Sequence, residues 1–179
     1  QAILDGLGNL PADVAMESDC TAPISTSFNP ASQTVTSGDD AFFTETIAVA
    51  ANADGGTYHC QDWVTINGED MVDETGELIT EDKTIHVPEI DLQPETDTNE
   101  LGFDLSHALI ATITAGDYGP VPTVRVEFEV TAGPNNGPTG ADTTDSNGEA
   151  DFSYAPVIAP SSLGTDTITA CYTDAGDTK

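Results

Sequence analysis

The sequence predicts an all-β fold made of two consecutive β-sandwich domains. Short runs rich in Thr, Val, Ile and Phe recur along the 179 residues, and clusters of Gly, Pro, Asn and Asp separate them. No window of about 11 residues has a convincing helical period, so we expect at most one helical turn, in residues 3–10. Pro88-Glu89 interrupts the strand pattern. This punctuation predicts domains at residues 20–88 and 89–179, with residues 1–19 as a linker or a donated strand.

The first domain is predicted to pack one face of each strand into a thin core. Alternation in residues 41–49 puts Ala41, Phe43 and Ile47 on the same face. A hairpin around Gly76 is expected to complete the sheet. The other predicted strands are residues 32–36 and 57–66.

Asp62 is the one residue of the first domain that conflicts with this pattern. Strict alternation in residues 57–66 would bury Asp62 on the face of Cys60 and Val64. A buried carboxylate is costly unless it is paired. We therefore expect a β-bulge that turns Trp63 inward in its place.

The second domain has clearer strands. Leu109, Ala111 and Ile113 alternate with polar residues, and the hydrophobic residues of 124–130 do the same. Residues 150–154 follow a turn at Asp145-Ser146-Asn147-Gly148, which we interpret as a hairpin turn and not as a calcium loop. The last strand is predicted to point Ile168, Ala170 and Tyr172 inward. A seven-stranded sandwich needs one more strand after Tyr172, so this domain is expected to lack its closing strand.

Four stretches of the second domain, in this order and spacing, resemble bacterial immunoglobulin-like domains of the invasin and intimin stalk type. They are SHALIATIT (106–114), VRVEFEVTAGPN (124–135), TDSNGEADFSY (144–154) and GTDTITA (164–170). The first domain resembles another extracellular immunoglobulin-like module more loosely, through NPASQTV (29–35) and GTYHC (56–60). The resemblance implies two tandem immunoglobulin-like β-sandwich domains that act as spacers or adhesive stalk modules, and it carries no catalytic residues.

The charge of the chain is strongly one-sided. Thirty-two acidic residues face three basic ones, Lys83, Arg125 and Lys179, for a formal charge of −29. Such self-repulsion is screened only at high ionic strength, which predicts a saline environment; the alternative is that acidity merely confers solubility. Nucleic acid and anionic membrane surfaces are excluded as partners because phosphate binding needs clustered Lys or Arg. No apolar run reaches the roughly 18 residues of a membrane span, so no membrane insertion is expected.

Three cysteines leave one thiol without an evident partner. Cys20 and Cys60 are expected to form a disulfide inside the first domain, closing a loop of about 40 residues, with a free buried pair as the alternative. Cys171 is one residue out of phase with Ile168, Ala170 and Tyr172, so it should face away from the core. We expect its partner in a continuation of the chain or a neighbouring subunit, with a free thiol as the alternative.

No catalytic or strong metal motif is apparent. His59, His86 and His107 lie on separate predicted strands, so we interpret them as surface or rim residues, and the chain is not expected to be an enzyme. No cofactor is expected. Four acids of the interdomain region are weak candidates for calcium, although chance clustering is common in so acidic a chain. They are Asp91, Glu95, Asp97 and Glu100.

These observations favour a structural or adhesive module pair of an extracellular or cell-surface protein, in a filament, a surface layer or an adhesin stalk. Its partners would be copies of itself or neighbouring modules. Residues 1–19 could be a strand donated to the next subunit. The alternative is a non-catalytic ligand- or carbohydrate-binding module of a larger secreted protein, for which Trp63, Tyr118 and Tyr58 are the candidate aromatics. The apolar anchors of the donated strand would be Ile3, Leu4, Leu7 and Leu10.

Overall fold

The computed structural model describes residues 11–36, 38–98, 106–157, 163–174 and 177–178. Within these ranges the chain is built from antiparallel β-sheets, and its only helical element is a 3₁₀ turn at Gly116–Tyr118. The predicted all-β class is confirmed. No helix in the described ranges is long and apolar enough to cross a membrane. The chain divides into two compact units. The first holds the described residues up to Ala53 and Thr57–Ile85, and the second holds Asp54–Gly56 and the described residues from His86 onward.

The first unit contains a five-stranded sheet and a two-stranded sheet. The larger sheet has the strand order β3-β1-β5-β6, and β7 also pairs with β5. In the smaller sheet β2 pairs antiparallel with β4. The strands are β1 (Ala12–Cys20), β2 (Ile24–Asn29), β3 (Ser32–Val35), β4 (Thr44–Val49), β5 (Gly56–Ile66), β6 (Glu69–Asp70) and β7 (Thr80–Val87).

Strand β1 lies between β3 and β5, so residues 12–19 belong to the sheet of the first unit. This differs from the expectation that residues 1–19 stand outside both domains. The physical reason is a period of two at the start of the strand, where buried Ala12 and Val14 flank exposed Asp13. Residues 1–10 lie outside the described residues.

The core of the first unit is small. Its buried members are Ala12, Val14, Val35 and Ala41, with Phe43 packed against them. Ile47 does not join this core, contrary to the predicted inward face, because 42% of its surface is exposed on the two-stranded sheet. A turn at Gly76 is present, since Gly76 has a φ of +87° and Val72 bridges Leu78 on either side of it, but residues 84–87, expected to pair with Met71 and Val72, lie in β7 and pair with β5 instead.

The second unit consists of two antiparallel sheets. One has the order β12-β9-β8 and the other the order β11-β10-β13-β14. The predicted turn at Asp145 is present, since the Asp145 carbonyl accepts a hydrogen bond from the Gly148 amide at 3.1 Å, but it does not form a hairpin of paired strands, because β11 and β12 belong to different sheets. The strands are β8 (Glu89–Gln93), β9 (His107–Thr114), β10 (Arg125–Ala132), β11 (Thr139–Thr143), β12 (Glu149–Tyr154), β13 (Thr167–Asp174) and β14 (Asp177–Thr178).

Side chains from both sheets of the second unit meet in one hydrophobic core. The alternation read from the sequence sets their direction, because every second residue of β9, β10 and β12 is buried. Phe128 and Phe152 stack across this core with ring centroids 5.1 Å apart. The closing strand that was expected to be missing is present in short form, since β14 pairs with β13 through Thr173 opposite Thr178.

Candidate functional site

Asp62 is buried in the first unit, at 1% relative exposure. The predicted bulge is wrong, because β1 and β5 keep an unbroken register in which Ser18 lies opposite Asp62 and Glu17 opposite Trp63. Unbroken alternation carries Asp62 to the inner face and leaves Trp63 half-buried on the other. The Trp63 indole nitrogen donates a hydrogen bond to Asp70 at 3.0 Å.

Lys83 is the partner that makes this burial possible. Its ammonium, on β7, donates hydrogen bonds to Oδ2 of Asp62 on β5 and to Oε2 of Glu45 on β4. The side chain of Asp62 is fully shielded, while those of Lys83 and Glu45 keep 23% and 19% exposure. Burial lowers the pKa of Lys83, but the hydrogen bonds and negative charges of the two carboxylates together raise that pKa above its ordinary value.

The cluster formed by Glu45, Asp62 and Lys83 is called the triad below. Only one oxygen of each of its two carboxylates is hydrogen-bonded to Lys83. Oδ1 of Asp62 and Oε1 of Glu45 are buried and have no hydrogen-bond partner among the described residues. Two carboxylates around one ammonium also leave one negative charge in excess. Buried polar atoms without partners are costly, so a site that retains them needs a chemical explanation.

A cleft of about 430 Å³ adjoins the triad. Its lining is mostly apolar, and Phe42 at this cleft has 67% of its surface exposed. An apolar lining weakens the solvation of charges beside it, which favours chemistry that removes charge. The aromatic and Met residues of the lining are Met16, Phe28, Phe42, Phe43, Trp63 and Met71.

The expected disulfide is present. Cys20 and Cys60 lie directly opposite each other in the register of β1 and β5, and they are bonded with a sequence separation of 40. A polar depression of about 630 Å³ lies over this disulfide and is also lined by Lys83.

Cys171 lies on β13 as a free cysteine of intermediate burial. The register pairs it with Glu127 on β10, whereas the neighbouring Tyr172 pairs with buried Val126. Cys171 is therefore on the outer face of its sheet, away from the core.

The described calcium candidates, Asp91, Glu95 and Asp97, are not brought together as a metal site. Asp91 accepts a hydrogen bond at 3.1 Å from the side-chain amide of Gln93. Oδ2 of Asp97 lies 3.6 Å from Nδ1 of His107. Glu95 is exposed, and Glu100 lies outside the described residues. In the part of the chain that the structure describes, no group of three or more His, Cys, Asp or Glu residues is placed to hold a metal ion.

The remaining predicted positions are dispersed. The proposed anchors Ile3, Leu4, Leu7 and Leu10 lie outside the described residues. Tyr58 and Trp63 belong to the first unit, and Tyr118 belongs to the second unit, where 67% of its surface is exposed.

A second polar cluster, centred on Asp166, lies within the second unit. Asp166 accepts hydrogen bonds from the Tyr154 hydroxyl at 2.9 Å and from the Asn135 side chain at 2.7 Å. His107 was predicted at the surface or rim, but it is buried at 7% exposure, with its ring edge against Tyr154 at 5.5 Å. It faces inward because it continues the buried alternation of β9. These bonds tie the segment before β13 to the end of β12, which is a structural role.

Sequence reasoning identified Asp62 as anomalous but missed Lys83 and Glu45. One signal was available, because Lys83 is the only basic residue before Arg125 and is thus the only cation that could pair with a buried acid in the first domain. Glu45 gave no signal, since acids are abundant in the chain. It faces inward because it continues the alternation of Ala41 and Phe43 into β4.

No protein-family model, curated protein or solved structure matches this chain.

Proposed function

We propose that the chain is a structural or adhesive module pair of an extracellular surface assembly. The observation that carries the proposal is the second unit, in which the sheet of β8, β9 and β12 shares one core with β10 and β13 of the other sheet, whose remaining strands are β11 and β14. This order corresponds to an immunoglobulin-like sandwich in which β11 lies beside β10 instead of beside β12. Together with the resemblance of residues 90–172 to invasin and intimin stalk modules, it supports a spacer role for two tandem immunoglobulin-like domains.

The disulfide and the charge support the proposed location. A bond between Cys20 and Cys60 persists in an oxidising compartment and is rare in a reducing cytosol. A charge of −29 keeps a protein soluble where salt screens its self-repulsion, as at the surface of a cell in saline water. Both features favour an extracellular site.

Self-association is the proposed mode of assembly. Ile3, Leu4, Leu7 and Leu10 would supply the apolar side chains of a strand donated to a neighbouring copy. Strand β1 already occupies a central place in its own sheet, so the donated segment would be residues 1–10 and not residues 1–19 as a whole.

The location is tested on intact cells of the source organism. Antibodies against the folded chain should label the outside of unbroken cells. Brief external protease treatment of the cells should abolish this labelling. An antibody against a cytosolic protein is the control and should label only opened cells. Labelling confined to opened cells would contradict the extracellular role.

The assembly mode is tested by deleting residues 1–10, which leaves β1 intact. The full chain should form polymers at molar salt that light scattering and electron microscopy detect, and the deleted chain should stay monomeric. A matched variant carries L4A alone, for which we expect partial assembly. Unchanged polymers from the deleted chain would contradict strand donation.

A further inference from the structure

The triad brings one amine and two carboxyl groups together from three strands, β4, β5 and β7. We propose that Lys83 and Asp62 condense into an intramolecular amide bond and that Glu45 carries the proton that this reaction must move. The product would be a covalent cross-link between the paired strands β5 and β7 of the first unit.

The placement of the reacting atoms supports this proposal. Nζ of Lys83 is hydrogen-bonded to Oδ2 of Asp62, so the nitrogen is a small displacement from the carboxyl carbon Cγ. Asp62 is the better acyl partner of the two acids, because its side chain is fully shielded while that of Glu45 is 19% exposed. Both strands are fixed by their sheet, which holds the two groups in contact.

The reaction needs a proton transfer within the ion pair, and the two carboxylates oppose it because they raise the pKa of Lys83 and so stabilise its ammonium. Condensation requires a neutral amine and a neutral carboxylic acid, and one proton moved from Lys83 to Asp62 supplies both without changing the total charge. Burial disfavours charged forms, so removal of the pair from water lowers the cost of this transfer. The apolar lining of the adjoining cleft acts in the same direction.

The covalent step balances without any further reactant. The lone pair of neutral Nζ forms a bond to Cγ, and the resulting tetrahedral centre carries two oxygens of Asp62. The Glu45 carboxylate accepts a proton from the nitrogen and returns it to a hydroxyl oxygen of Asp62, which leaves as water. Nitrogen keeps one hydrogen, Asp62 keeps one oxygen, and Glu45 regains its negative charge. No oxidant or reductant takes part.

The amide product would explain how the site tolerates its buried charges and its unpaired carboxylate oxygen. Amide formation removes the buried positive and negative charges of Lys83 and Asp62 together, and Asp62 no longer has two buried oxygens to satisfy. Condensation is disfavoured for free groups in water, but groups held in contact react with effective concentrations of about 10⁵–10⁸ M. The fold thus supplies the proximity that the free groups lack in water.

Intact mass spectrometry of the purified full chain, after reduction of the disulfide, tests the proposal. The mass should be lower than the sequence mass by one water. After digestion at acidic residues, the peptides that contain Asp62 and Lys83 should travel as one branched peptide. A chain with its full sequence mass would overturn the proposal, and so would a branched peptide in which Lys83 is joined to Glu45.

Matched variants assign the roles. K83R keeps the positive charge but cannot form this amide, so it should have the full sequence mass, while K179R should keep the loss of one water. E45Q should abolish or greatly slow the loss, while E69Q, at an exposed position of β6 outside the cleft, should not change it. A loss of water that persists in K83R would overturn the cross-link, and one that is complete in freshly folded E45Q would overturn the role of Glu45.

The cross-link does not depend on the proposed function. Mass is measured on the isolated chain, whereas surface location is measured on cells, so each result can fail without the other.

Discussion

Asp62, whose side chain is fully removed from water, accepts a hydrogen bond from Lys83 on the paired strand β7. Lys83 is the only basic residue before Arg125, so the first unit commits its single cation to an interior acid and leaves its surface acids without one. This use of Lys83 predicts that the triad stabilises the first unit.

Replacement of Lys83 by Met should strongly destabilise the first unit. The variant leaves the Asp62 carboxylate buried without its partner, and loss of one partner of a buried ion pair costs about 3–5 kcal/mol, to which loss of the proposed cross-link would add. Trp63, the sole tryptophan, lies next to Asp62 on β5 and reports unfolding of this unit. Urea titration followed by Trp63 fluorescence would measure the loss.

The control for this experiment is R125M. Arg125 pairs with Glu127 at 3.1 Å, but both side chains are 64% exposed, and such surface pairs contribute about 0–1 kcal/mol. A K83M variant as stable as R125M would show that Asp62 does not depend on Lys83.

The hydrogen bond from Tyr154 to Asp166 predicts a loss of stability at both extremes of pH. Burial and the bond to Asp166 raise the pKa of Tyr154 to about 12. Its contribution is therefore complete below the ordinary value of 10.0 and is lost as the pH rises towards 12. Burial raises the pKa of Asp166, but hydrogen bonds from Asn135 and Tyr154 outweigh it and hold that pKa below 3.8, so its contribution is lost as the pH falls below that value.

Thermal melts of Y154F and D166N across pH would test this pair. Y154F should lose the decline between pH 10 and 12, and D166N should lose part of the decline below 3.8, relative to the unsubstituted chain. Y118F is the matched control, because Tyr118 is 67% exposed. Alkaline profiles that coincide for Y154F and the unsubstituted chain would contradict the assignment.

Much of the second unit could be predicted from the sequence because its strands alternate strictly. Each buried residue of β10, for example Phe128, follows an exposed charged residue, so the period of two fixes both the strand and its inner face. Cys20 and Cys60 could be paired because the other cysteine lies in a different domain. In these places local pattern and tertiary structure agree.

The candidate site could not be predicted because it depends on the meeting of three strands. The desolvation cost of a carboxylate argued against burying Asp62, so a β-bulge was expected. In the structure Asp62 is buried because it pairs with Lys83 from another strand. Alternation gives the direction of Glu45, but it does not reveal that Lys83 of β7 lies within contact of this carboxylate. The partner that makes the burial of Asp62 possible is distant in the sequence, so the pattern around Asp62 does not reveal it.

Removal of the disulfide should destabilise the first unit by about 4 kcal/mol. Cys20 and Cys60 are separated by 40 residues, and loop-closure entropy for a loop of this length gives that magnitude. The double variant C20A/C60A should therefore unfold at a lower urea concentration by Trp63 fluorescence. C171A, on the outer face of the other unit, is the control and should leave the Trp63 transition unchanged. Equal midpoints for all three proteins would refute the estimate.

The charge of −29 predicts that thermal stability rises with salt. Screening shortens the Debye length from about 10 Å at 0.1 M to about 3 Å at 1 M, so most of the gain should fall within this range. On the outer face of β10, Glu127 and Glu129 are both exposed, with Arg125 as the nearby cation. Acidic residues on such a face repel one another more strongly in the folded chain than in the unfolded chain, and salt removes that difference.

Melting temperatures in NaCl and in sucrose of matched osmolality would separate screening from solvent exclusion. The melting temperature should rise steeply in NaCl and only slightly in sucrose, because sucrose stabilises through its exclusion from the protein surface and leaves charges unscreened. A variant that replaces Glu127 and Glu129 by Gln should melt higher than the unsubstituted chain at low salt and equally at molar salt. Equal gains in the two solutes would mean that charge repulsion does not limit the stability of this chain.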